Sequence, residues 1–68
     1  MVEIVAVDSL GNTLLKKNYD YIFEAEDAYF DFIDDKKRLG IHVVSINNSF
    51  AFKEVEFDDN TKLTMLAQ

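Results

Sequence analysis

Short runs of β-branched and aromatic residues, separated by turn residues, make up most of the chain. Such runs predict β-strands. Four of them are predicted over Val2 to Val7, Ile41 to Asn47, Phe50 to Phe57 and Thr61 to Ala67. A further extended segment is predicted over Thr13 to Phe23. Gly, Asn, Asp and Ser residues tolerate or stabilise turn conformations, and they predict turns over 8–12, 47–49 and 58–60.

The strand patterns contain two changes of parity, where apolar residues shift from one face to the other. One lies near Lys17 and Asn18, and the other lies near Lys53 and Glu54. A β-bulge adds one residue to a strand and so reverses which face the following side chains occupy. The sequence therefore predicts a bulge at each of these two places.

The middle of the chain has a different period and predicts one helix from Ala25 to Leu39. Apolar residues fall on one face at helical spacing, and Lys36 lies at the margin of that face. The members of this face are Ala25, Ala28, Tyr29, Phe32, Ile33, Lys36 and Leu39. Gly40 follows as a C′ residue, with Ile41 placed for a Schellman ending. Asp34 and Arg38 are spaced for an ion pair.

These elements predict an α+β fold with the order β-β-α-β-β-β in one domain, residues 1–68. Hairpins at both ends favour a small antiparallel sheet of four to five strands, with the helix packed across one face. The first strand is apolar on both faces and is expected inside the sheet. The strand after the helix is equally apolar, and it is expected beside the first.

The net charge of −6 and the pI near 4.4 indicate partners of opposite charge. An acidic surface repels nucleic-acid phosphates and anionic membranes, so neither is expected as a partner. A protein with a basic surface is the expected partner. Solubility alone is the alternative explanation of the charge. The N-terminal Val2-Glu3-Ile4 lacks a basic signal region, and no apolar run would span a bilayer, so a cytoplasmic location is expected.

The residues that carry most enzyme chemistry are scarce. The chain has no Cys, a single histidine at His42 and two glycines. Nucleophile–base pairs and glycine-rich phosphate loops are therefore not expected, and neither enzymatic activity nor a cofactor is predicted. The aspartates do not follow the spacing of a calcium loop, so a solvated face is expected rather than a metal site.

One helix face combines carboxylates with a phenylalanine, and it is the candidate partner-binding surface. Asp27, Asp31 and Asp35 repeat at i,i+4, which places like charges side by side. Phe30 falls among them, as expected of a surface that binds a basic and partly apolar partner. Cover by another segment or subunit, or simple exposure, would also explain Phe30. The candidate residues are Glu24, Glu26, Asp27, Phe30, Asp31, Asp34 and Asp35.

In size, charge and lack of catalytic residues the chain resembles uracil-DNA glycosylase inhibitors and the anti-restriction and anti-CRISPR proteins. The resemblance is one of composition and includes no shared motif. It implies an inhibitor or DNA mimic, encoded by a phage or mobile element, that binds a basic host protein. The alternative is a structural or assembly domain that homodimerises or joins a larger complex, because strands with two apolar faces also suit self-association.

Overall fold

The computed structural model describes residues 1–67, in which five antiparallel strands form one sheet with a helix packed against it. The predicted α+β fold and its element order are confirmed. Across the sheet the strands follow the order β2-β1-β5-β4-β3. The elements are β1 (Val2–Val7), β2 (Thr13–Tyr19), α1 (Ile22–Arg38), β3 (Val43–Asn48), β4 (Phe52–Phe57) and β5 (Lys62–Ala67).

Strand β1 lies at the centre of the sheet, as its apolar sequence predicted. Val2 pairs with Tyr19 of β2 on one side and with Ala67 of β5 on the other. The predicted neighbour was wrong, because β3 lies at the far edge and β5 lies beside β1. Tight turns join β3, β4 and β5 into a meander. Because β4 occupies the middle of that meander, only its last strand has an edge free to meet β1.

Strand β2 is shorter and α1 begins earlier than the sequence predicted. The ladder between β1 and β2 ends at the pair Val2–Tyr19, so the chain beyond Tyr19 has no strand partner. The helix then begins at Ile22 and ends at Arg38, instead of running from Ala25 to Leu39. A segment without a ladder partner gains more from helical hydrogen bonds than from an extended conformation.

Both bulges lie on the outer strands rather than at the predicted positions. The β1–β2 register shifts where Leu14 is the extra residue, and the β3–β4 register shifts where Val44 is extra. The register of β4 against β5 is unbroken, so β4 has no bulge at Lys53 and Glu54. Bulges are tolerated best at sheet edges, where one side of the strand has no ladder to disrupt.

The core lies between α1 and the middle of the sheet. Ala25, Tyr29 and Ile33 of the helix are buried. The buried apolar residues of the strands are Val2, Ile4, Ala6, Val55, Phe57, Leu63 and Met65. Helix α1 contacts β1, β2 and β5 and does not lie over β3. Within residues 1–67 no helix has both the length and the apolar content needed to cross a membrane.

The helix ends in the predicted Schellman motif. The Ile41 N–H donates to the Lys36 carbonyl at 3.0 Å, and the Gly40 N–H donates to the Lys37 carbonyl at 3.0 Å. Gly40 has a φ of +78°, a conformation that suits glycine because it lacks a Cβ. At the other end Tyr21 is the N-cap and makes no side-chain capping bond. The helix is therefore fixed more firmly at its C-terminal end.

A half-buried lysine ties that end of the helix to the β4–β5 turn. The Lys36 ammonium donates to the Asp59 carboxylate at 2.7 Å and to the Thr61 hydroxyl at 3.2 Å. It also lies 5.7 Å and 5.9 Å from the ring centroids of Phe32 and Phe57, within cation–π range. The hydrogen bond from Lys36 is the main reason that the pKa of Asp59 falls from 3.8 to about 2.

Replacing Asp59 by Asn should lower the free energy of unfolding at neutral pH and flatten its dependence on acid pH. Because the pKa of Asp59 is lower in the folded state, its contribution is complete above about 4 and is lost as the pH falls from 3.8 to about 2. Loss of a hydrogen bond to a charged group should cost about 1 to 3 kcal/mol, since Lys36 is only 14% exposed. Urea unfolding at a series of pH values measures both effects.

The control is Asp35→Asn, which removes the exposed carboxylate that pairs with Arg38 at 3.0 Å. Exposed pairs contribute about 0 to 1 kcal/mol, so this variant should stay close to wild type. Equal losses in the two variants would contradict a special role for the contact between Lys36 and Asp59.

Candidate functional site

Four carboxylates form a continuous line along the outer side of α1, here called the acidic ridge: Glu24, Asp27, Asp31 and Asp34. Their spacings of three, four and three residues place them on one helix face. All four side chains are exposed, on the side of α1 opposite the buried Ala25. Within residues 1–67 none of the four forms an ion pair or a side-chain hydrogen bond. The ridge thus presents unneutralised negative charge to solvent.

The other two predicted acidic residues lie beside the ridge and have partners. Glu26 is half-buried and lies 4.0 Å from the Lys53 ammonium. Asp35 accepts a hydrogen bond from Arg38 at 3.0 Å. The prediction that Asp34 pairs with Arg38 was wrong. Positions i−3 and i−4 are both within reach of an arginine on a helix, and the guanidinium binds the one at i−3.

A groove of about 360 Å³ runs between α1 and the outer strands of the sheet. It exists because the helix packs over β1, β2 and β5, while the same face of the sheet continues onto β4 and β3. Its floor is apolar, and its polar groups lie at the margins. The residues that line it are Tyr29, Phe30, Ile33, Ile46, Asn48, Lys53 and Val55.

Phe30 joins the groove to the acidic ridge. Its ring lines the groove and meets Tyr29 edge-on at a centroid separation of 5.5 Å. Asp27 and Asp34 are its ridge neighbours, three residues before it and four after it. Phe30 is 52% exposed, and Ile46 across the groove is 64% exposed. Two large apolar side chains therefore face solvent next to the unpaired carboxylates.

The groove is the part of the surface that the sequence did not predict. Phe30 was identified, but Ile46 and Asn48 were assigned to a strand beside β1, where Ile46 would have been covered. Their exposure follows from the position of β3 at the edge of the sheet. One signal was available in the sequence: a single predicted helix is too narrow to cover a five-stranded sheet.

The chemistry of these residues suits binding more than reaction. Burial raises the pKa of Tyr29, and the Glu54 carboxylate raises it further, so the phenol at the groove wall stays neutral. In the described part of the chain no three His, Asp or Glu side chains converge closely enough to hold a metal ion. The ridge supplies charge, and the groove supplies apolar surface.

In comparisons with protein-family models, with curated proteins and with solved structures, none matches this chain.

Replacing Asp31 by Asn should raise the free energy of unfolding at low salt by about 0.5 to 1 kcal/mol, since like charges at these spacings each cost a few tenths of a kcal/mol. Asp31 lies three or four residues from Asp27, Asp34 and Asp35. Asn is close to Asp in size and helix propensity, so the change isolates charge. Urea unfolding at low and high salt measures the gain, which should shrink at high salt.

The control is Asp58→Asn, which removes an exposed carboxylate from the β4–β5 turn. If both variants gain the same stability, net charge rather than crowding on α1 is responsible. If Asp31→Asn gains nothing at low salt, the ridge carries no internal repulsion.

Proposed function

We propose that this chain is a small acidic, non-enzymatic protein-binding module that binds a basic surface of a partner protein through one side of α1. The observation that carries the proposal is the adjacency of unpaired carboxylates and open apolar surface. Asp27 and Asp34 flank Phe30, and Phe30 lines the groove. Protein-binding surfaces commonly have apolar anchors inside a charged rim.

The acidic ridge provides attraction at a distance. Glu24 and Asp34 are ten residues apart, which corresponds to about 15 Å along a helix. The net charge of −6 extends the same field over the molecule. Such a field raises the rate of encounter with a cationic partner, and this effect decays over about 10 Å at 0.1 M salt. Binding should therefore weaken as salt is added.

The groove provides the apolar contact that holds the partner after encounter. Phe30 and Ile46 face each other across it and are both more than half exposed. Covering apolar area contributes about 25 cal/mol per Å². An arginine of the partner also suits Phe30, because a guanidinium can lie over an aromatic ring and reach a carboxylate at the same time.

The sharper form of the proposal is an inhibitor that imitates DNA. Four unpaired ridge carboxylates over about 15 Å give one charge about every 5 Å. One DNA strand carries a charge about every 3.4 Å, so the ridge is sparser than a single strand. Glu26 and Asp35 would raise the density to that of DNA if the partner's cations replaced Lys53 and Arg38. This form therefore requires a partner rich in lysine or arginine.

The double variant Asp31→Lys, Asp34→Lys should abolish binding to the partner captured by the wild-type chain. Immobilised protein retains the partner from a lysate of cells in which it occurs, and isothermal titration then gives affinities from about 0.05 M to about 0.2 M salt. The wild-type affinity should fall steadily over this range. Reversing two ridge charges should weaken binding at low salt by at least about tenfold, or about 1.4 kcal/mol.

The control is Asp20→Lys, Asp58→Lys, which reverses two exposed carboxylates outside α1 and changes the net charge equally. Its affinity should stay within a fewfold of wild type. If wild-type binding does not depend on salt, or if both double variants bind equally, the ridge is not the binding surface.

The second candidate function is a domain that assembles with copies of itself. The sheet face away from α1 is uncovered within residues 1–67, and Val5, Val7 and Phe52 are half-buried there. Leu66 on this face is also exposed. Half-buried apolar residues on an uncovered sheet face favour a second layer, which another copy of the chain would supply.

Analytical ultracentrifugation at several salt concentrations separates this candidate from the first. Two chains that each carry −6 repel each other, so self-association should strengthen as salt is added, whereas binding to a basic partner should weaken. Val5→Lys should abolish such a dimer. A monomer at every salt and protein concentration contradicts self-assembly.

A further inference from the structure

Strand β3 has an unpaired edge along one side of the groove. Its ladder bonds run to β4 alone, because β3 is the last strand of the sheet. The Ser49 N–H donates to the Phe52 carbonyl at 2.7 Å, which marks a hydrogen-bonded pair of this ladder. In an antiparallel ladder such pairs alternate with non-bonded ones. The main-chain groups of Asn48 and Ile46 therefore point away from β4.

The two edges of the sheet differ in how they are protected. Strand β2 carries Lys16 and Lys17, and charged side chains on an edge discourage another strand from adding there. Strand β3 contains no charged residue and no proline. Its bulge at Val44 leaves Ser45–Asn48 in regular register with β4. Four consecutive residues of β3 thus form an edge that can accept another strand.

Resting on the function proposed above, we propose that the occupant of this site is an extended segment of the partner protein that adds as a sixth strand to β3. The segment places apolar side chains in the groove and lysine or arginine side chains against the carboxylates around it. This mode of recognition combines main-chain hydrogen bonds for affinity with alternate side-chain pockets for selectivity.

The groove lies where the side chains of an added strand would point. Ile46 and Asn48 share the groove face with Val55 and Lys53, their partners on β4. Residues directly opposite each other in a ladder project to the same face. A strand about 4.8 Å outside β3 therefore presents every second side chain to Ile46 and to the groove. Phe30 on the opposite wall lies on the same side of the sheet.

The surrounding charges favour a basic occupant. Asp27 and Asp34 lie on the helix side of the groove, and Glu54 and Glu56 of β4 lie on the other face of the sheet. Of the cations nearby, Lys53 pairs with Glu26 and Lys62 pairs with Glu56, while Lys37 is exposed in the last helical turn. A second copy of the chain would bring another −6 to the same edge. A segment with alternating basic and apolar residues fits both the charge and the strand period.

The test uses a fluorescent seven-residue peptide, Lys-Val-Lys-Ile-Lys-Val-Lys, with the wild-type protein. We expect salt-dependent binding by fluorescence anisotropy and slower amide hydrogen exchange at Ile46 and Asn48. The matched probe has the same side chains, with N-methyl groups on alternate main-chain amides of the edge that would face β3. It keeps all the charge but cannot complete the ladder, and it should bind at least about tenfold more weakly.

The variant pair is Ile46→Lys and Leu14→Lys. Both change an exposed apolar residue of an edge strand to lysine, at 64% and 51% exposure, and they change the net charge equally. Ile46→Lys should lose most of its affinity for the peptide, and Leu14→Lys should keep it within a fewfold. Thermal unfolding of both variants confirms that they are folded.

The outcomes separate this inference from the function it rests on. Equal binding of the two peptides, or equal affinity of the two variants, overturns strand addition but leaves a salt-dependent acidic binder in place. No binding of either peptide overturns strand addition for a basic segment, whereas the partner titration with Asp31→Lys, Asp34→Lys independently decides the broader function. A salt-strengthened dimer that Ile46→Lys abolishes would show that a second copy, not a basic segment, occupies the edge.

Discussion

One helix has to cover a sheet of five strands, and this mismatch in width determines the surface of the molecule. Strands lie about 4.8 Å apart, so five of them extend about 19 Å, whereas a helix with its side chains is about 10 Å across. Helix α1 packs over β2, β1 and β5 and leaves β3 and part of β4 beyond its flank. The groove, the exposed Ile46 and the open edge all follow from this geometry, and no sequence of 17 helical residues would remove them.

The position of α1 across the sheet is fixed by its C-terminal end. Lys36 contacts Asp59 and Thr61 of the β4–β5 turn, and Phe57 lies beneath its ammonium. Because Lys36 is on the buried margin of the helix, the carboxylates on the opposite side are turned to solvent. Stability is concentrated at one end and one side of α1, and the acidic ridge lies on the side that contributes nothing to folding.

The elements were readable from the sequence because each has a local signal. The β-branched run at Val2–Val7 gave β1, and the spacing of Ala25, Tyr29 and Ile33 gave the buried face of α1. Gly40 gave the end of the helix. The ridge was readable for the same reason, since three- and four-residue spacings define a helix face.

The order of the strands had no local signal, and the groove depended on it. Apolar content alone placed β3 beside β1, but a strand at an edge can be as apolar as one at the centre. The bulges at Leu14 and Val44 were also missed, because an edge strand accepts an extra residue without a change in its hydrophobic pattern. Ile46 and Asn48 therefore became candidates only once the sheet was seen.

The pairing of β1 with β5 has a consequence for how the chain folds. The Thr64 hydroxyl donates to the Val5 carbonyl at 3.3 Å across 59 residues of sequence, in the middle of the sheet. The hairpin of β1 and β2 and the meander of β3 to β5 can each form from nearby residues, but their junction closes a loop of almost the whole chain. Such high contact order slows folding, so the two halves should form before they join. Until that junction closes, β1 and β5 are themselves unpaired edges, and a slow folder with transient edges is prone to pair with other chains.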